Sequence, residues 1–399
     1  MVLGKEQEVN GNSYRNRLVI SEEQIEKNRE EYKRHFSLPY MEAFCRHVLN
    51  HISDVWYRPR FVGFDHLPPR NNPAAPLIFA TNHSGMAFPW DAIVFISQIA
   101  ARELPMQDGI RALISPMLTK YPYMCPFLID DLWFKAGCIN ATLLNFETAM
   151  SLNESNVLIF PEGIDGIGKG FDKRYQLQPF KTSFLRMSIR YKTDIIPFMT
   201  VNGEYNNPLA YNWKPLTKLV RKFGMPFFPL GVLAFLAAFQ PWIFYISLPS
   251  RLTFVIGEPI HVYEMVDKPY EQLTQQELKV VGEKIRQQWQ QQLLDAKKTY
   301  GKKYYDIRSL LKAMWRHKRY FLRYFPPFWP FVMTYFDVNY DANIGDESLR
   351  ITLRKCLKTI IKRPWVLAMY LPILGWAFIA LRSWRRMKKN NAQAKNTQK

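Results

Sequence analysis

The chain has 399 residues, with 54 lysines and arginines against 34 acidic residues, a formal charge of +20 and 15% aromatic residues. This length can bury a full core, and a basic, aromatic chain favours an anionic membrane or a nucleic acid as its partner. No zinc-finger, helix-turn-helix or RNA-binding signature accompanies the charge, which argues against nucleic acid. The four cysteines show no paired spacing, so we expect a reducing compartment and no structural metal.

The first 60 residues predict a tail and a helical extension. Residues 1–18 are polar and lack the apolar core of a signal peptide, so we expect a disordered tail. Residues 21–24 spell a capping box, and residues 19–60 predict amphipathic helices that lie on a bilayer or pack on the following domain. His47 and His51 lie one turn apart without a third ligand, so we interpret them as an interface rather than a metal site.

Short apolar runs then alternate with helical patterns. The predicted strands are 77–81, 157–160, 194–200 and 252–256, and the predicted helices are 89–102, 141–153 and 179–191. This alternation predicts an α/β fold with a central, mostly parallel sheet flanked by helices.

Residues 82–91, Asn-His-Ser-Gly-Met-Ala-Phe-Pro-Trp-Asp, connect a predicted strand to a predicted helix. A neutral imidazole held by a carboxylate can take a proton from an alcohol, so His83 and Asp91 are a candidate acid/base pair. Pro89 suits the first position of a helix, which leaves Asp91 in the first turn facing the His83 loop. Alternatively, Asp91 only complements the helix dipole and His83 bonds to the backbone.

Residues 157–163 read Val-Leu-Ile-Phe-Pro-Glu-Gly, a buried-strand run that places Glu162 at a strand's carboxyl end. Together with 82–91, this stretch resembles the lysophospholipid acyltransferase superfamily, the glycerolipid acyltransferases of phosphatidic-acid synthesis and their relatives. The family's Phe-Pro-Glu-Gly motif is intact here through Gly163. Its first motif, usually His-x4-Asp, is His-x7-Asp in this chain.

Four further segments resemble the same family in the same order. Residues 62–68 are similar to its first strand, 136–140 to its second motif, 195–197 to its fourth motif and 257–260 to its closing strand. The resemblance covers 61–264, about half the chain, and implies an acyltransferase domain at 61–265.

The resemblance implies a membrane-bound O-acyltransferase that needs no metal or other cofactor. His83, oriented by Asp91, would deprotonate the hydroxyl of a lipid acceptor, which then attacks an acyl thioester of coenzyme A or acyl-carrier protein. Glu162 would position the acceptor, and backbone donors near Gly85 or Gly163 would stabilise the oxyanion. A rival hypothesis is a membrane adaptor that keeps the fold without the chemistry, because the His-to-Asp spacing is lengthened.

The phosphate-binding arginines that are common in the family are missing here. The second motif has none, and Asp165 stands near the place of the other. Either Lys169 or Arg174 contacts a phosphate instead, or the acceptor is a neutral alcohol such as diacylglycerol. A solvated loop is the alternative for both cations. Residues 163–170 nearly spell a nucleotide-binding P-loop, but Gly170 stands where Ser or Thr is needed, so we do not predict nucleotide binding.

Two long apolar segments predict contact with a membrane. Residues 226–249 are uncharged but interrupted by prolines, which suggests an insert that dips into one leaflet and walls an acyl-chain cavity. Residues 364–382 predict a kinked transmembrane helix or a monotopic anchor, and the basic tail 383–399 predicts the cytoplasmic face. Between the two segments, 266–363 predicts helices with basic and aromatic residues at the level of anionic headgroups.

Overall fold

The computed structural model describes residues 20–33, 36–86, 88–101, 109–222, 225, 227–340 and 349–397, so the predicted tail 1–18 lies outside it. The strands are β1 (Arg60–Val62), β2 (Ile78–Thr81), β3 (Ile110–Ile114), β4 (Ile139–Asn140), β5 (Asn156–Ile159), β6 (Ile195–Val201), β7 (Tyr211–Asn212), β8 (Pro229–Leu230) and β9 (Thr253–Ile256).

The α-helices are α1 (Glu22–Lys33), α2 (Leu38–Phe44), α3 (Asn50–Ile52), α4 (Trp90–Ala100), α5 (Met117–Lys120), α6 (Leu132–Lys135), α7 (Leu143–Leu152), α8 (Ile164–Ile167), α9 (Ser183–Tyr191), α10 (Lys214–Arg221), α11 (Val232–Phe239), α12 (Gln275–Tyr300), α13 (Ile307–Arg316), α14 (Phe321–Tyr324), α15 (Trp329–Asn339), α16 (Leu353–Lys362) and α17 (Leu374–Thr397). Turns of π-helix at Cys45–Leu49 and Ser53–Tyr57 join α2 and α3 into one helical run over 38–57.

A seven-stranded sheet in the order β1-β9-β6-β2-β5-β3-β4 forms the centre of the described chain. Strands β6, β2, β5, β3 and β4 are parallel, whereas β9 is antiparallel to β6 and pairs in parallel with β1. Every residue of β2, β5 and β6 is buried, as expected for parallel strands covered on both faces. The predicted α/β class, with a mostly parallel sheet flanked by helices, is confirmed.

Strands β2, β5, β6 and β9 lie within one residue of their predicted bounds, but the sequence analysis missed β3. Arg111 interrupts the apolar run of β3, which hides the strand in the sequence. Its buried guanidinium lies over the rings of Tyr32 and Phe36, at 4.6 and 4.2 Å from their centres. Arg111 Nε also donates a hydrogen bond to the carbonyl of Gly137 at 2.8 Å. The first three residues of β3 are therefore buried despite the charge of Arg111.

Alternate residues of the strands face two separate cores. Phe79 and Phe198 belong to a core that also contains α4, the helical run 38–57 and buried residues of α15 and α17. Ile78 and Met199 belong to the second core, which contains α7, α9 and α12. The sheet thus has helices on both faces, and the C-terminal helices share a core with the N-terminal ones.

The helical run 38–57 packs on the domain, which decides between the two predicted positions for the N-terminal extension. Val48, Ile52 and Tyr57 have no exposed surface. His51 Nε2 lies 2.8 Å from an Arg323 guanidinium nitrogen, and its ring lies 4.4 Å from that of Tyr320. The burial of His51 and the Arg323 charge lower its pKa to about 3, so this imidazole is neutral at an interface.

The two long apolar segments are each broken into short helices. Residues 226–249 contain α11 and a 3-10 helix at Pro241–Tyr245, and residues 364–382 contain a 3-10 helix at Pro364–Tyr370 and the start of α17. In the part of the chain that the structure describes, no helix combines the length and apolarity needed to cross a membrane.

Candidate active site

Three polar residues follow the carboxyl ends of three neighbouring strands. His83 follows β2, Glu162 follows β5 and Glu204 follows β6. Strand β2 lies between β5 and β6, with Ile78 in register with Val157 and Ile195. Because parallel strands end at the same edge of a sheet, the three side chains lie together at the place where open α/β sheets bind ligands.

His83 and Asp91 are brought together by the short connection from β2 to α4. Asp91 lies in the first turn of α4 and is only 2% exposed. Its Oδ2 lies 3.8 Å from His83 Nδ1, which is ion-pair distance and about 1 Å beyond a hydrogen bond. Pairs of this kind are often long without substrate and tighten when substrate binds.

The carboxylate of Asp91 is also held by two backbone groups. Ser84 N–H donates to Oδ2 at 3.1 Å, and Ala92 N–H donates to Oδ1 at 2.9 Å. Burial disfavours the charged form, but the His83 imidazole and these two donors outweigh it and hold the pKa of Asp91 below its ordinary value. Asp91 is therefore an anion at neutral pH that faces the imidazole.

The His83 ring stacks on Phe160, with ring centres 4.0 Å apart and planes inclined at 20°. Its side chain is 12% exposed, so the imidazole is mostly enclosed yet retains a solvent-facing surface. With Nδ1 turned to Asp91, the other ring nitrogen is left to exchange a proton with a substrate.

Glu162 is fully buried and positions the backbone of His83. Its Oε1 accepts the His83 N–H at 2.8 Å, and its Oε2 accepts the Gln178 N–H at 2.7 Å. Both oxygens are already engaged within the protein. Through Oε1, Glu162 therefore holds the backbone of the loop that carries the imidazole.

Lys169 lies inside the protein beside two carboxylates. Its side chain is 1% exposed, with Nζ 3.5 Å from Glu162 Oε2 and 3.9 Å from Glu204 Oε1. Burial raises the pKa of Glu204, while the Lys169 charge and the Tyr175 N–H, which donates at 3.1 Å, oppose that rise. The ammonium thus offsets part of the charge at the strand ends.

Sequence reasoning missed Glu204. The signal was present, because Glu204 follows the predicted strand 194–200 just as Glu162 follows 157–160. Glu204 is the first acidic residue after that strand, so the rule that singled out Glu162 also points to it.

The remaining predicted site residues lie at different depths. Gly163 has a φ of +57°, which favours glycine, and its N–H donates to the Phe160 carbonyl at 2.9 Å. Arg174 is exposed, and its guanidinium lies 4.8 Å from the centre of the Phe171 ring. The structure therefore separates Arg174 on the surface from Lys169 in the interior.

Helix α8 covers the strand ends, and Gly166 allows its close approach. A Cβ at Gly166 would lie 2.5 Å from Glu162 Cβ and 3.0 Å from His83 Cβ. On the other side, the Asn82 side chain donates to the Thr200 carbonyl at 3.0 Å and accepts the Thr200 N–H at 2.8 Å. The start of the His83 loop is thus held against β6 by two hydrogen bonds.

Comparison with known proteins finds similarity to mycobacterial proteins that are described as uncharacterized. The chain is 30% identical over 226 residues to proteins of Mycobacterium tuberculosis and Mycobacterium bovis, and over 227 residues to one of Mycobacterium leprae. The alignments cover 56–57% of this chain and 57–58% of each relative. No family model and no solved structure matches the chain.

The arrangement can perform acid/base chemistry. At the edge of the sheet it combines an imidazole, a carboxylate that stays ionised and a loop whose backbone is hydrogen-bonded to Glu162. Within the described residues, no group of three or more His, Cys, Asp or Glu side chains could hold a metal ion. The chemistry that the His83–Asp91 pair can supply is proton transfer to and from a hydroxyl or thiol.

Proposed function

We propose that the protein is a membrane-associated O-acyltransferase that moves a fatty acyl group from an acyl thioester to the hydroxyl of a glycerolipid acceptor. The supporting observation is the His83–Asp91 pair, which lies at the carboxyl edge of the sheet with its backbone bonded to Glu162. The sequence resemblance over 61–264 supplies the reaction class, and the basic, aromatic composition supports work at the cytoplasmic face of a membrane.

In the proposed mechanism, Asp91 holds the Nδ1–H of His83, so that Nε2 accepts the proton of the acceptor hydroxyl. The hydroxyl oxygen attacks the thioester carbonyl, and the carbon–sulfur bond breaks. The thiolate of coenzyme A or acyl-carrier protein leaves and takes the proton back from the imidazolium. The products are an ester and a thiol, and no acyl-enzyme or added cofactor is needed.

A neutral acceptor such as diacylglycerol is the second candidate, and the position of Lys169 favours it. Its ammonium lies beside the carboxylates of Glu162 and Glu204 in the interior, where it is not free to bind a phosphate. A lysophospholipid acceptor would instead rely on exposed cations such as Arg174. Assays that offer lysophosphatidate and diacylglycerol in turn decide between the two.

The test of the proposal is thiol release from acyl-coenzyme A by purified protein with acceptor vesicles, with the product lipid identified by mass spectrometry. His83→Ala should lower the rate by about 10²- to 10⁴-fold, because general-base catalysis contributes that much. The matched control is His261→Ala, since His261 also pairs with an aspartate, Asp194, but at the opposite edge of the sheet. This control should retain activity.

Asp91→Asn keeps the shape of the pair but removes the charge that stabilises the imidazolium, so it should also lower the rate strongly. A His83→Ala protein that still turned over would refute the mechanism. A wild-type protein that released no thiol with any acyl donor, yet still bound membranes, would support the adaptor hypothesis instead.

A further inference from the structure

The two apolar segments of the sequence meet in the structure and form one surface. At the end of α11, the Phe239 carbonyl accepts the Ile373 N–H at 2.8 Å. The Trp376 indole N–H donates to the Ala237 carbonyl at 2.8 Å. The start of α17 is therefore hydrogen-bonded to the last turn of α11, and the two helices present their outer faces together.

These outer faces are apolar and exposed. Phe235 and Phe239 of α11 are 65% and 44% exposed, and Val232 is 59% exposed. The neighbouring Ile373, Leu374 and Phe378 are 60%, 65% and 44% exposed. We call these six residues the apolar patch. Contiguous large apolar side chains on a surface mark a binding site for protein, ligand or lipid.

Basic residues flank the apolar patch. Strand β7 lies just before α10 and pairs with β8, which lies just before α11, so α10 begins close to α11. Lys214, Lys218 and Arg221 of α10 are exposed. Further along α17, Arg385 and Lys388 are also exposed. The sequence has no acidic residue between Glu204 and Glu258 and none after Glu347, so every charged side chain in the segments that carry the patch is basic. Two of these cations, Arg382 and Arg386, pair with Asp130 and Asp131.

We propose that the apolar patch and its basic flank dock on an anionic lipid bilayer, with the apolar side chains inserted at headgroup depth. An apolar face bordered by lysine and arginine is the pattern of a monotopic membrane surface. A second copy of this chain would bring the same cations face to face, which disfavours self-association through the patch.

The apolar patch is linked to the candidate active site through short contacts. Phe227, just before β8, packs on Gly168, where an added Cβ would lie 3.2 Å from its ring. The Gly168 carbonyl accepts a hydrogen bond from the Asn212 side chain at 2.8 Å, and the Ile167 carbonyl accepts the Met86 N–H at 2.6 Å. These contacts connect the segment before the apolar patch to the loop that carries His83, so the docking proposal deepens the proposed function without depending on acyl transfer.

The experiment measures co-sedimentation of the purified full chain with vesicles of phosphatidylcholine alone or of phosphatidylcholine mixed with phosphatidylserine. Wild type should bind the mixed vesicles on the order of tenfold more tightly. The variant Phe235→Glu/Leu374→Glu should weaken binding on the order of a hundredfold, because two exposed apolar side chains that would insert into the bilayer are replaced by charges. The matched control is Val280→Glu/Leu294→Glu, since these residues of α12 are 63% and 41% exposed outside the patch.

Circular dichroism and light scattering of all variants accompany the binding assay. Loss of vesicle binding by the patch variant alone, with an unchanged melting temperature and oligomeric state, supports the proposal. Unchanged binding by the patch variant refutes it. A patch variant that becomes monomeric while wild type is a dimer would also refute it and would assign the patch to self-association. His83→Ala should bind vesicles like wild type, so failure of docking and failure of catalysis are distinguishable.

Discussion

Lys169 has the role that depends most on its surroundings. In the sequence it belongs to a basic, glycine-rich loop, where contact with a phosphate and simple solvation are the natural alternatives. In the structure it is buried beside Glu162 and Glu204. Two carboxylates that converge at strand ends in a low-dielectric interior need a compensating cation, and Lys169 supplies it.

Removing that cation should destabilise the protein. We expect Lys169→Met to lower the free energy of unfolding by about 3–5 kcal/mol, because it leaves two buried carboxylates without their partner. Urea unfolding measures the loss, and Lys173→Met, which changes an exposed lysine in the same loop, is the control. Adding Glu204→Gln to Lys169→Met should restore part of the stability. Equal stability of the Lys169 and Lys173 variants would contradict this role.

Among the elements, the segment after β9 that contains His261 and Tyr263 is attached to the amino end of β6 by a second histidine–aspartate pair. His261 Nδ1 lies 2.6 Å from Asp194 Oδ1, which also accepts the Tyr263 hydroxyl at 3.0 Å. The hydrogen bond with Asp194 raises the pKa of His261 above its ordinary value of 6.5. The protonated imidazole therefore strengthens this attachment.

This attachment should depend on pH. A raised pKa in the folded state adds stability that is fully present below pH 6.5 and is lost as the pH rises through the pKa of the folded protein. The gap in unfolding free energy between wild type and His261→Asn should thus be largest in mild acid and shrink in alkali. Urea titrations over a pH series measure it, with His66→Asn, at an exposed histidine, as the control. A gap that grew with pH would show that the neutral imidazole is the stabilising form.

At the scale of the whole molecule, one core joins both ends of the described chain. Val48 and Ile52 from the N-terminal helical run lie in the same core as Met369 and Ile379 from the C-terminal region. The predicted anchor 364–382 therefore has two sides. One side packs inside the protein, and the other carries the exposed side chains of the apolar patch.

Two substitutions in 364–382 should distinguish its buried side from its exposed side by their effect on stability. Met369 has no exposed surface, so Met369→Ala should lower the unfolding free energy by about 2–5 kcal/mol through the cavity it leaves. Leu374 is 65% exposed, so Leu374→Ala should change it by no more than about 0.5 kcal/mol. Chemical denaturation in the absence of lipid provides both values. Similar losses for the two variants would mean that the segment is not divided in this way.

The sequence by itself determined the α/β class, four central strands and the positions of His83 and Glu162 at strand ends. These features are local, because they follow from apolar runs, turn residues and short motifs. The sequence did not predict strand β3, because the buried Arg111 interrupts the apolar pattern. The aromatic partners of Arg111, Tyr32 and Phe36, lie far away in the chain.

Only the tertiary structure decided that Glu204 joins Glu162, that Lys169 lies between the interior carboxylates, and that the segments 226–249 and 364–382 meet. Each of these facts depends on strand order and on packing between distant parts of the chain, which local periodicity does not encode. The charge of a residue can be read from the sequence, but whether that charge faces water, a carboxylate or a lipid is set by the fold around it.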